Sequence, residues 1–388
     1  MNKIELCDIN SCTQCRACEN ICPKHCISMV SDESGFTVPQ IDRNDCIECG
    51  ACMKSCHKIN PIQEYRLPQK TLACWTKRKQ DRRNSSSGGA FSVLARKIIS
   101  EGGIVFGATM TPELKVKHIG IEREEDIIRL QGSKYVQSDM GDCHKKVKNA
   151  LGSGRKVLFS GTPCQIASIY SYFKKNPENL YTCDVVCHGV PSQKSFDSYI
   201  DRIGIRGKCR NFNFRFTEGW GFRLSKQTVA PSDCAASEKK LISPTKCYYL
   251  KAFTKGLMFD ESCYSCPYAK SGRISDFTMA DYWGIGVSSP FNHSTTGGIS
   301  CLLVNTSKGE SMLSDCSDLE YEERPLEEAI RGNHNLSHVS ERPKGRDTYY
   351  RDSLTMPIPT LCKKYGIGPT FRDYLRIIKQ AIVQIRTK

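Results

Sequence analysis

Cys12-Thr-Gln-Cys15-Arg-Ala-Cys18-Glu-Asn-Ile-Cys22-Pro23 decides the reading of this chain, because it recurs as Cys46-Ile-Glu-Cys49-Gly-Ala-Cys52-Met-Lys-Ser-Cys56-His57. Three thiols crowded into seven positions wrap one face of a cubane. The fourth, set off by a longer gap, reaches the other cubane from the start of a short helix. The spacing therefore predicts two 4Fe–4S clusters. One is held by Cys12, Cys15, Cys18 and Cys56, the other by Cys46, Cys49, Cys52 and Cys22. Zinc sites also use C-x-x-C pairs, but zinc ribbons separate their pairs by a dozen or more residues. Cys7 and Cys26 fall outside the repeat and read as plain buried thiols.

Working outward, ten of the 23 cysteines lie in the first 56 of 388 residues. A secreted disulfide scaffold of this density is normally short and follows a signal peptide. The opening MNKIELCDIN has no apolar run, and no stretch of about 20 apolar residues occurs, so a reducing, cytoplasmic setting is expected. The formal charge of +15 would by itself suggest nucleic acid or an anionic membrane. Each oxidised cluster with its thiolates carries about −2, so three would bring the chain to about +9. No nucleic-acid role is expected.

Residues 4 to 60 resemble a bacterial two-cluster ferredoxin domain, with His57 where a second proline would stand. Beyond Asn60-Pro61 the composition turns to that of a mixed α/β body, so the fold class expected is α/β (α+β). Leu72–Thr76 reads as a strand and Lys77–Arg83 as a solvated basic loop. Ser85-Ser86-Ser87-Gly88-Gly89 then opens a helix of period 3.6. A serine cap and free N–H groups there make either an anion site or an ordinary helix start. Strands IVFGATM and VKHIGI, a helix ending near Gly152 and a strand at Val157–Phe159 follow. That last strand runs through Gly161-Thr162-Pro163 into a helix, a parallel α/β unit with its functional turn at the strand's carboxyl end. Cys164 then sits at a helix N-terminus, where a thiolate is stabilised. Cys187-His188-Gly189 follows another apolar strand, and Cys263-x-x-Cys266 comes later. Four such thiols, from two corners and one close pair, suggest a third cluster.

Five separated motifs, SSSGGAFSVLARKI, LQGSKYVQSD, LFSGTPCQIA, DVVCHGVPS and CYSCPYAKSGRISDFTMADYWGIG, resemble the coenzyme F-420 hydrogenase/dehydrogenase beta-subunit family over about residues 70 to 340. The resemblance implies a flavoprotein, with FAD as the expected flavin, beside a 4Fe–4S cluster. It implies that Ser86, Ser87, Gly88 and Gly89 cradle flavin phosphates, that Lys134 balances their charge and that Gly161–Thr162 lie near the flavin ring. Cys164, Cys187, Cys263 and Cys266 would hold the third cluster. His188 is a candidate proton donor or a hydrogen-bonding neighbour of the cluster. Asp281 is a candidate to orient flavin or substrate, or a turn cap before Trp283.

The domains expected are 1–60 (ferredoxin), 70–155 and 156–345 (the two parts of the body, the second with the third cluster) and 346–388 (linker and basic helix). In that last helix Phe371, Tyr374, Leu375, Ile378, Ile382 and Ile385 share a face that suits peripheral membrane contact or packing on protein. The function expected is an oxidoreductase. It would pass electrons from ferredoxin or another redox protein through clusters to a flavin, and on to a small-molecule substrate or deazaflavin-like cofactor. Alternatives are an electron-transfer subunit that wires a partner enzyme and, remotely, a zinc-bearing RNA-binding module.

Overall fold

The structure, a computed structural model, describes residues 4–174, 176–216, 221–228, 239–371 and 373–375. Most of the C-terminal amphipathic segment lies outside the described residues.

The N-terminal repeat is visible in the backbone. Gln14 (φ 59°) and Arg16 (φ 61°) lie in the left-handed region, and so do Glu48 (φ 52°) and Gly50 (φ 71°), their counterparts one repeat later. These reversals curl each C-x-x-C-x-x-C segment so that successive thiols turn inward. Helices α1 (Ala17–Ile21) and α2 (Ala51–Lys54) follow and pack on each other. The fourth cysteine of each motif comes after its helix, Cys22 capping the C-terminal end of α1, and does not begin a helix as the spacing suggested. A hairpin, β1 (Ile27–Ser31) and β2 (Thr37–Ile41), pairs in register from Ile27↔Ile41 to Ser31↔Thr37 and joins the two halves.

The body is built on one eight-stranded sheet. Its strands are β3 (Lys70–Thr76), β4 (Ile104–Met110), β5 (Val116–Ile121), β6 (Val157–Gly161) and β7 (Leu180–Val185). A three-stranded sheet of β8 (Cys209–Phe216), β9 (Gly221–Thr228) and β10 (Lys239–Leu241) stands apart. The large sheet is completed by β11 (Phe277–Asp281), β12 (Ser300–Val304) and β13 (Leu319–Glu323), in the order β13-β3-β12-β11-β7-β6-β4-β5. Strands from residues 70–155 and 156–345 thus interleave in one sheet. β4, β6, β7 and β11 are parallel, and β3 points the same way through two antiparallel steps across β12. Their carboxyl ends therefore share one edge.

Side chains alternate between the faces, as the pleat requires. Leu72, Cys74 and Leu158 join the core under the helix Ala90–Ser100, where Val93, Leu94 and Ile98 are buried. Ala73 and Trp75 face the opposite way. Phe159 and Val157 pack with Ile166 and Ile169 of the helix Pro163–Phe173.

The basic segment after β3 is exposed over residues 77–80, as expected, but it is not a plain loop. Lys79–Asn84 form a short helix, and several charges in the segment have protein partners. Arg82 donates to the Gly298 carbonyl (2.7 Å), Arg78 pairs with Asp318 (2.5 Å) and Asp81 with Arg96 (2.5 Å). The N-terminal domain docks through buried polar contacts. Gln14 Nε2 donates to Asp260 (2.7 Å) and Ser192 Oγ donates to the Ser34 carbonyl (2.6 Å). Among the described residues no helix is long and apolar enough to cross a membrane.

Candidate functional site

Two small hollows lie inside the N-terminal domain. One is lined by Cys12, Cys15, Cys18 and Cys56, with Cys7 beside them. The other is lined by Cys22, Cys46, Cys49 and Cys52, with Cys26 beside them. The crossed grouping is the one the spacing predicts. Each hollow also holds a fifth thiol that the repeat does not contain. Backbone N–H groups point at several of the sulfurs: those of Lys24, His25 and Cys26 at Cys22, and those of Lys58 and Ile59 at Cys56. Such donors stabilise sulfur-bound charge. Cys49 is exposed, so the second hollow reaches the surface.

A third group of thiols forms where the body meets this domain. Cys164 lies in the first turn of the helix Pro163–Phe173, Cys187 follows β7, and Cys263 and Cys266 lie in and just after the turn Glu261–Ser265. Cys164 feels Cys187 and Cys266, and Cys263 feels Cys187 and Cys164. Burial pushes every one of the four thiols up, Cys187 to about 12. At Cys164 burial outweighs the helix N-terminus, contrary to the stabilised thiolate expected from its position. A group with its own positive charge would reverse that balance. The donor set fits an iron–sulfur cluster. It includes N–H groups of Gly189, Val190, Tyr268 and Ala269 directed at Cys187, Cys263 and Cys266. Among the described residues no three metal-binding side chains close on a single ion.

Beside this group opens a cavity of about 290 Å³ at the carboxyl ends of the parallel strands, the place where open α/β sheets bind ligands. The separated sequence motifs meet around it. Ser85–Ser87 and Gly89, Ser133–Tyr135, Gly161–Thr162, Cys187–Gly189 and Asp281 all line its wall. Cys187 is shared between the cavity and the third thiol group.

The serine turn differs from the expected cap. Gly89 (φ 87°) caps the helix in the left-handed region, and no serine caps it. Ser87 Oγ donates to the Ile299 carbonyl (2.6 Å), while Ser86 Oγ accepts from the Ser133 amide (2.8 Å). Gly88 does not face the cavity. A Cβ there would run into the Cys74 carbonyl and the Ser300 amide, so its role is to let the turn lie flat on the sheet. Lys134 is half-buried, and its ammonium donates to the Leu130 and Gln131 carbonyls, both at 2.9 Å. Among the described residues no carboxylate pairs with it, and desolvation lowers it to about 7. An ammonium has three N–H donors, which leaves one for an anion in the cavity. The capping box of Thr162 and Gln165 fixes the turn after Gly161.

His188 is exposed at the cavity rim with its ring 6.5 Å from that of Phe253, and the protein atoms around it lower its affinity for a proton. Asp281 is bound in two-pronged fashion by Arg215, at 2.7 and 2.9 Å. Arg215 lies over the Trp283 ring at 5.3 Å and also donates to the Tyr135 hydroxyl (3.2 Å). Asp281 is therefore part of an ion pair rather than a simple turn cap. Sequence reading passed over Arg215, although a charged residue in the aromatic run Phe212-Asn-Phe214-Arg215 was a usable signal. It also passed over His118, whose Nε2 lies 3.0 Å from the Ser160 carbonyl and must donate to it. Nδ1 then accepts from Ser138 (2.9 Å), and Ser138 accepts from Gln165 (2.9 Å). This chain of hydrogen bonds holds the imidazole neutral at the cavity wall.

The fold and the thiol groups define an iron–sulfur protein with an attached ligand-binding α/β body. Residues 11–59 match the model of a 4Fe-4S dicluster domain. Residues 154–328 match the model of the C-terminal part of the coenzyme F420 hydrogenase/dehydrogenase beta subunit. The chain thus joins a two-cluster domain to a body of which residues 154–328 match the beta-subunit model. Among solved structures, a chain of the F420-reducing NiFe hydrogenase complex from Methanosarcina barkeri is similar at 18% identity and a TM-score of 0.48, covering 76% of this chain and 91% of that one. No curated protein matches the chain.

Proposed function

We propose that this chain is an iron–sulfur flavoprotein oxidoreductase. It takes electrons from ferredoxin or another redox protein and reduces a small organic substrate or a deazaflavin-like cofactor in the cavity. The observation that carries this reading is the order of the sites in space. Cys49 brings the second hollow to the surface, and the second hollow adjoins the first, since Cys18 feels Cys52. The first adjoins the third thiol group, since Cys164 feels Cys15, and Cys187 belongs to both that group and the cavity wall. Cys164, Cys187, Cys263 and Cys266 would hold a third 4Fe–4S cluster.

FAD suits the cavity because its phosphates match the serine turn and Lys134. A bound flavin supplies the exchange between single electrons and a hydride pair. Ser86, Ser87 and Gly89 shape the turn, Lys134 offers charge, and Gly161–Thr162 leave room for a ring. Arg215 holds Asp281 in one orientation, a fixed acceptor for a substrate N–H or O–H. His188 stands at the cavity rim beside Cys187, where its imidazole can hydrogen-bond to a bound substrate or, once protonated, pass it a proton.

The test is anaerobic reconstitution with iron, sulfide and FAD, followed by reduction with ferredoxin. Stoichiometric FAD that bleaches on addition of reduced ferredoxin supports the reading. A protein with all its clusters that binds no flavin overturns it in favour of a subunit that only relays electrons.

A further inference from the structure

The two fifth thiols, Cys7 and Cys26, occupy corresponding places in their hollows although they are not related by the sequence repeat. Cys26 is 8% exposed, and its Sγ lies 3.4 Å from Cys22 Sγ. It also lies against Cys46. Cys22 is the crossing ligand of the second hollow, and Cys46 is the first cysteine of the motif that supplies the other three. In the first hollow Cys7 lies against Cys56 and Cys12, again the crossing ligand and the first cysteine of the local motif. Two independent positions have thus converged on one arrangement, a spare thiol between the ligand from afar and the ligand that opens the local loop. Thiols with no further role would not need to contact the corresponding pair of ligands in both hollows.

We infer that Cys26 and Cys7 are reserve ligands, each placed to replace the crossing or the first cysteine on its cluster. The exchange needs no oxidant or reductant. The reserve thiol gives up its proton as its sulfur bonds to iron, the displaced thiolate takes a proton as its own iron–sulfur bond breaks, and the cluster keeps its electron count. Such an exchange lets a cluster survive loss or modification of its most remote ligand. That ligand is the one whose position depends on the packing of both halves of the domain.

The test uses the full chain reconstituted anaerobically, read by iron and sulfide content and by the electron paramagnetic resonance of the reduced N-terminal clusters. Cys22→Ala is expected to keep the parent iron content, with a shifted signal for one cluster. Cys26→Ala alone is expected to keep both content and signal. Cys22→Ala/Cys26→Ala is expected to lose about four irons, one cubane. Cys49→Ala, at the exposed rim, is expected to lose the same amount with Cys26 present. At the mirror site, Cys56→Ala should hold its iron only while Cys7 remains. Equal iron loss in Cys22→Ala and the double variant, including loss through failure to fold, would overturn the inference.

Discussion

The hydroxyl of Tyr268 lies 2.8 Å from Nδ1 of His57, a partner 211 residues earlier in the chain. The other ring nitrogen of His57 lies 2.9 Å from Thr13 Oγ1. His57 follows a ligand of the first hollow, and Tyr268 stands two residues beyond Cys266 of the third thiol group. The imidazole that replaces the expected proline is therefore a buried clasp between the two domains. Tyr268→Phe leaves one imidazole nitrogen without a partner, which should cost about 1–3 kcal/mol. Reduction of the flavin by ferredoxin should slow, while reduction by a small dye that reaches the cavity directly should not. Equal slowing with both donors would argue for general loosening instead.

The third thiol group predicts the iron content. About twelve irons per chain are expected after reconstitution, and about eight for Cys263→Ala, with the N-terminal signals unchanged. A parent content near eight would remove the third cluster.

Lys134 predicts a pH dependence for flavin binding. Its ammonium is lowered to about 7 by desolvation, and only the protonated form attracts phosphate. Binding of an anion holds the proton on, so affinity should be full below pH 7 and fall by up to about tenfold per unit above it. Titration of flavin fluorescence between pH 6 and 9 checks this. Lys134→Met should bind weakly at every pH and lose the slope.

Two buried histidines predict acid sensitivity. Burial lowers His118 to about 4 and His144 to about 3. The unfolded chain therefore binds protons below about pH 6.5 that the native fold refuses, and stability falls as pH falls through that value. The loss should level off only below the folded values. Between pH 6 and pH 5 the two together should cost about 2 kcal/mol, measured by chemical denaturation, and His144→Gln should remove about half of it.

Arg273 and Asp184 form an ion pair at 2.9 Å that is 2% and 0% exposed. Burial raises the Asp184 carboxyl while Arg273 holds it down. Arg273→Met leaves that carboxyl alone in the interior and should cost about 3–5 kcal/mol. Replacing both partners by apolar residues should recover much of this. If the double variant is no more stable than Arg273→Met, the pair is not the source of the loss.

The sequence by itself determined the crossed thiol groups of the N-terminal domain, because each set of three lies within seven residues and local geometry brings it together. It also determined the strands, from Leu72–Thr76 to the apolar run before Cys187, and the turns after them, since alternation and glycine placement are local signals. The body's strands then bring Cys164, Cys187, Cys263 and Cys266 to one place, which the order of strand ends made readable. Only the tertiary structure decided the rest of the site. Arg215 meets Asp281 across 66 positions, Ser138 meets Gln165 across 27, and His57 meets Tyr268 across 211. The same holds for Cys7 and Cys26, which read as idle thiols and instead stand beside the ligands. The reason is physical: a cluster loop is specified by backbone reversals a few residues apart. A buried polar partner is chosen by which surfaces the sheet and the docked domain press together, and nothing in the neighbouring residues records that choice.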